Sequence, residues 1–120
     1  MYVQSFKDLV VWQKSMELVR EIYILTGKFP PTEMYGLVSQ MRRCAVAIPS
    51  NIAEGKKRKT KKDFLQFLRI ADGSAAELET QIIISKELFS RNNFSKVQSL
   101  LEEVQKMLIT MIKKLEASKS

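Results

Sequence analysis

The chain has no histidine and only one cysteine, Cys44, among its 120 residues. Without histidine it lacks the side chain whose ordinary pKa lies nearest neutrality, and with it the commonest proton-transfer group. A lone cysteine with no histidine can build neither an intrachain disulfide, nor a Cys/His zinc site, nor a Cys–His nucleophile pair. Four glycines and three prolines leave few places for turns, so the elements should be few and long. No apolar run approaches the roughly 18–20 residues that a membrane span needs. The opening MYVQSFKDLVVW lacks the basic start, apolar centre and small-residue cleavage site of a signal peptide. These absences predict a cytoplasmic, non-enzymatic protein with no cofactor, no metal site and no membrane association.

What remains is ordinary globular material, 45% apolar and 28% charged. A chain of this length buries one core and not two, so residues 1–120 are expected to form a single domain. The formal charge of +7 calls either for an anionic partner or for nothing more than solubility, and its location must decide.

Hydrophobic spacing predicts four helices. Ser5 and Asp8 read as a capping box that opens a first helix over about residues 6–26. Its main apolar stripe is Leu9, Trp12, Met16, Val19 and Tyr23, widened by Leu18, Ile22 and Leu25. Gly27 and Pro30-Pro31 end it. Thr32 reads as the cap of a second helix carrying Met34, Leu37, Met41, Cys44, Ile48 and Ile52. Pro49 predicts a kink there, and the period continues to Glu54, with Gly55 as the terminator. Thr60 and Asp63 form another capping box, followed by a heptad seam of Phe64, Leu68, Ala71, Ala75, Leu78, Ile82, Ser85 and Phe89. Gly73, inside that seam segment, suggests the close approach of a neighbouring helix. After a turn at Arg91-Asn92-Asn93 come Val97, Leu101, Val104, Leu108, Met111 and Leu115. Four long helices with short connections predict an all-α, antiparallel up-down-up-down four-helix bundle, with its second helix kinked at Pro49.

Two polar groupings need an explanation. Arg43, Ser50 and Glu54 share one helical face, and Glu77 and Gln81 lie beside the seam of the third helix. If those faces meet, Arg43 pairs with Glu54 or Glu77, and Asn51 takes a backbone group freed by Pro49. The six residues then form a structural network that fixes helix register. Cys44, on the apolar stripe, reads as a small buried hydrophobe.

The second grouping is KKRKTKK, with Lys56, Lys57, Arg58, Lys59, Lys61 and Lys62 in seven positions. Arg42 and Arg43 precede it, and Lys113 and Lys114 add charge on the last helix. These cations repel one another, and part of the run sits at the positive end of a helix dipole, where phosphate is favoured. Contact with a nucleic-acid backbone, RNA or DNA, is the leading functional reading, through the six loop cations and Arg42. No aromatic residue interleaves the run, so readout of bases is not expected. The alternative is a protein-interaction or structural module whose basic loop is only a solvated surface.

Four stretches in order, SFKDLVVWQKSMELV, FPPTEMYGL, MRRCAVAIPSNIAEG and GSAAELETQIII, resemble the four-helix bundle proteins encoded in 23S rRNA intervening sequences. The resemblance extends over about residues 5–115. It implies a small cytoplasmic bacterial protein that assembles as a homopentamer. A relative, the accessory variability determinant of diversity-generating retroelements, is a basic pentameric barrel that binds nucleic acid and a reverse transcriptase. The resemblance therefore also implies RNA or DNA, a reverse transcriptase or another protein as partners. The chain departs from the family pattern at Cys44, where a small alanine is common. It departs again after Ala53-Glu54-Gly55, where Lys56-Lys57 replaces a frequent aromatic residue and raises the charge of the loop.

Overall fold

In the computed structural model, which describes residues 5–118, the chain begins with a single 3-10 turn, Phe6–Asp8. The Ser5 hydroxyl accepts a hydrogen bond from the Lys7 N–H at 3.1 Å, so the expected cap closes this short turn. The first α-helix starts later, and α1 runs Val10–Thr26. Four long helices follow the predicted order: α1, α2 (Ser39–Lys57), α3 (Lys61–Leu88) and α4 (Ser95–Ala117). Each packs against the next and α4 closes on α1, giving an antiparallel bundle 49 Å long and 21–23 Å across.

The seams of α3 and α4 form the core as their spacing predicts. Leu68, Ala71, Ala75, Leu78, Ile82 and Ser85 are buried, facing Val97, Leu101, Val104 and Leu108. On α1 the two expected stripes exchange roles. Val11, Leu18, Ile22 and Leu25 are buried in the core, whereas Trp12, Met16 and Val19 are half-buried and Tyr23 is 44% exposed. The periodicity of both lines is equally regular, so spacing alone cannot say which one faces inward.

α2 also departs from expectation at both ends. Thr32 does not cap it. A 3-10 turn, Pro31–Glu33, and a wide helical turn, Met34–Val38, come first, and Gly36 leaves helical geometry within the second of them. At the other end Gly55 does not terminate the helix, which continues to Lys57. Pro49 lies buried within α2 with helix on both sides, as expected for one helix rather than two. Asn51 Nδ2 donates to the Ala47 carbonyl at 2.8 Å, one turn back and within side-chain reach, not to the Ala45 carbonyl that Pro49 leaves without its donor.

The two helical glycines have opposite roles. A β-carbon at Gly55 would lie 2.7 Å from Phe67 Cβ and 3.1 Å from Phe64 Cδ1, so this glycine lets α2 and α3 approach. A β-carbon at Gly73 would meet nothing within 4 Å, which corrects the expectation of a close neighbour there within one chain. Gly73→Ala should therefore raise the stability of the folded chain by up to about 1 kcal/mol, the gain in helix propensity. Chemical denaturation reads this directly, and a loss of stability would mean that Gly73 faces a surface which a second copy covers.

Candidate nucleic-acid interface

Two helix ends build the basic site. α2 ends at Lys57 and α3 begins at Lys61, with Arg58, Lys59 and Thr60 between them. The turn holds this shape because Thr60 Oγ1 accepts from the Asp63 N–H at 3.1 Å, the predicted cap. Arg58 N–H returns to the Gly55 carbonyl at 3.1 Å. Lys56 and Lys57 sit at the negative end of the α2 dipole, where cations are stabilised. Lys61 and Lys62 sit at the positive end of α3, where they are not.

The bundle topology brings further charge to this end. α4 finishes beside the start of α3, since Lys61 Nζ donates to the Ser118 carbonyl at 2.6 Å and Arg69 pairs with Glu116. Lys113 and Lys114 thus join the loop, as the sequence suggested, and the 3-10 turn carrying Lys7 lies against α2. This end collects ten cations (Lys7, Lys56, Lys57, Arg58, Lys59, Lys61, Lys62, Arg69, Lys113, Lys114) against four carboxylates, Asp8, Glu54, Asp63 and Glu116. The other described residues carry nine cations against nine carboxylates, so the excess charge among the described residues lies at one tip of the molecule.

Within the tip the cations are not equivalent. Arg58 Nη2 bonds Glu54 Oε2 at 2.6 Å, and its guanidinium lies over the Phe67 ring, 4.9 Å from the centroid. Lys56 Nζ lies 5.8 Å from the Phe64 ring centroid. Lys57, Lys59 and Lys62 are exposed with no ion-pair partner among the described residues. The basic run itself holds no aromatic residue, and the sequence shows Phe64 only as part of the α3 seam and gives no sign of a role for Phe67. They stand one to two turns into α3, and only the reversal of the chain between two packed helices folds them under Lys56 and Arg58.

Arg42 does not belong to this site. Fourteen residues of continuous helix, about 21 Å, separate it from Lys56. Its Nε donates to Thr26 Oγ1 at 3.0 Å and its guanidinium lies 4.4 Å from the Tyr23 centroid, locking α2 to the end of α1.

The expected six-residue polar network is not assembled either. Arg43 is exposed and makes no ion pair among the described residues. Eleven helical residues place Glu54 about 16 Å along the axis from Arg43, so sharing a face is not sharing a contact. Glu54 pairs with Arg58, four residues on, instead. Ser50 is exposed. What forms is a smaller group around Cys44, which is half-buried rather than core. Gln81 Nε2 donates to its sulfur at 3.5 Å, and the thiol donates to Glu77 Oε2 at 3.7 Å. Burial, chiefly, and the Glu77 charge push the Cys44 thiol up, outweighing the Gln81 hydrogen bond and the Arg43 charge that act to lower it. This thiol therefore stays protonated at neutral pH. Among the described residues no group of three or more His, Cys, Asp or Glu side chains is placed to hold a metal ion. No described helix is long and apolar enough to cross a membrane.

Comparison with known proteins agrees with this architecture. The family described as 23S rRNA-intervening sequence protein matches residues 7–110. A crystal structure from Bacteroides thetaiotaomicron, a protein of unknown function from the S23 ribosomal protein family, superposes with a TM-score of 0.77. The two share 25% sequence identity over 87% of this chain and 99% of that one. No curated protein matches the chain.

Proposed function

The chain belongs to the 23S rRNA-intervening sequence protein family, and on that footing we propose that it is a non-enzymatic protein which binds the phosphate backbone of RNA or DNA through its basic tip. The observation that carries the reading is the segregation of charge, with an excess of six cations at one end of the bundle and near balance elsewhere. Mutual repulsion at that density disfavours the fold unless an anion is near, and nucleic acid is the anion that matches a cluster of this extent. Lys57, Lys59 and Lys62 have no carboxylate partner among the described residues and are the first contacts. The free N–H groups at the start of α3 supply a phosphate site beside Thr60.

The same reading makes the active species an oligomer of this chain. α1 and α2 present a groove of about 350 Å³ lined by Trp12, Met16, Val19, Val46, Pro49 and Ala53. It continues past the exposed Tyr23 to Tyr35, which is 97% exposed. A lone bundle buries about three-sevenths of each helix, and an apolar band wider than that suits a second copy. The family resemblance gives the number as five. In a ring the basic tips repeat, and weak contacts add through multivalency. Light scattering at tens of micromolar should return the mass of several 13.8 kDa chains, and a clean monomer contradicts this part of the proposal.

Fluorescence anisotropy of labelled RNA and duplex DNA fragments in low salt tests the binding itself. Saturable association with little dependence on base sequence is expected. No association with either supports instead a protein-interaction or structural module with a merely solvated tip.

A further inference from the structure

Phosphate contacts leave one feature of the basic tip unused. Phe67 is half-buried yet does not join the apolar core, unlike Phe64 on the same helix. Its β-carbon approaches the Gly55 backbone, and the Arg58 guanidinium covers its ring. Glu54 fixes that guanidinium through the 2.6 Å hydrogen bond, while the Arg58 side chain stays 47% exposed. The result is a layered surface, ring beneath and guanidinium above, whose outer side is open to solvent. Exposed Lys57, Lys59 and Lys62 flank it in sequence.

Unpaired nucleobases stack on aromatic rings and on guanidinium planes, and the interaction tolerates any base because every base has a π-face. Bases within a duplex are already stacked on one another and cannot use such a surface without being flipped out. From this geometry we propose that Arg58, backed by Phe67 and oriented by Glu54, is a stacking platform for an unpaired base, so that the basic tip favours single-stranded nucleic acid. The inference rests on the phosphate-binding reading above and adds a substrate class to it. Arg58 is then the residue that touches the base, and Phe67 and Glu54 are positioning residues.

The test compares a single-stranded thymidine homopolymer with an abasic strand of the same length, which keeps the phosphates and removes the bases. The wild-type protein should bind the homopolymer about tenfold more tightly, the scale of one good stack. Phe67→Leu should bring that ratio close to one and leave affinity for the abasic strand unchanged, whereas Phe67→Trp should keep the ratio. Arg58→Lys, which preserves charge without the planar head, should also abolish it and covers the case in which Phe67→Leu does not fold. A wild-type protein that binds both strands equally overturns the inference while leaving phosphate binding intact. So does a preference that survives both Phe67→Leu and Arg58→Lys. If neither strand binds in low salt, the phosphate-binding reading falls with it.

Discussion

Glutamine at Lys56, Lys57, Arg58, Lys59, Lys61 and Lys62 together is expected to weaken binding to a duplex DNA fragment by at least a factor of about 100 at 50 mM salt. Each phosphate neutralised in the wild-type complex releases most of one condensed counterion, and that release drives association most strongly when bulk salt is dilute. Removing most of the contacts therefore removes most of the affinity. The fold should survive. All six side chains are exposed or half-buried, and surface substitutions of this kind usually change stability by no more than about 0.5 kcal/mol each. The ion pair that Arg58 loses is exposed on both sides, with about half of each side chain accessible, so it contributes little. Relief of repulsion, above all for Lys61 and Lys62 at the start of α3, acts in the opposite direction. Helix content by circular dichroism and mass by light scattering should match the parent. A variant that folds, assembles and still binds as the parent does would place the anion site elsewhere.

The largest effect on stability is expected at Gly55. Gly55→Ala puts a β-carbon 2.7 Å from Phe67 Cβ and 3.1 Å from Phe64 Cδ1, distances at which a helix must shift. Overpacking of this kind typically costs about 1–3 kcal/mol, and the propensity of alanine for helix recovers at most about 1 kcal/mol of it. The melting temperature should fall by several degrees, roughly 3–5 °C for each kcal/mol in a domain of this size. The contrast with Gly73 makes the pair informative. The same substitution in the neighbouring helix, where a β-carbon meets nothing, should be stabilising. Melting temperatures that move together in the two variants would contradict the packing described between α2 and α3. Because Gly55 also lies under the platform formed by Phe67 and Arg58, its substitution should weaken binding to single strands even where the protein remains folded.

Much of the fold was legible in the sequence, and the reason is periodicity. Leu68, Ala71, Ala75, Leu78, Ile82 and Ser85 recur at four and three without a slip, and a helix can bury such a line only against neighbours. The Thr60 cap was legible because its geometry is local, three residues from hydroxyl to amide. What failed to show depended on distances between elements. The sequence marks Gly73 for a close approach and Gly55 for a helix end, yet it is Gly55 that meets another helix. Arg43 and Glu54 share a helical face but lie too far apart along it to pair, and the nearer Arg58 takes the carboxylate. Arg42 belongs by sequence to the approach of the basic run and in space to the opposite end, where Thr26 and Tyr23 hold it. The α1 stripes were both visible, but which of them faced the core depends on where α2 and α4 lie. Phe67 escaped notice because the turn at Arg58–Thr60 folds it back under a residue nine positions earlier.

The central claim is that the charged tip binds nucleic acid by neutralising phosphates, and the dependence of the wild-type affinity on salt tests it most directly. Association constants for one duplex fragment, measured by anisotropy from about 50 to 200 mM salt, give the slope of log K against log salt. If roughly five phosphates are neutralised, the slope should lie near −4.5 on duplex DNA and near −3.5 on a single strand, a loss of several hundredfold for the duplex across that range. A slope near zero, or no measurable binding at the lowest salt, would mean that the cations of the tip are a solvated surface, and the proposed function would not stand.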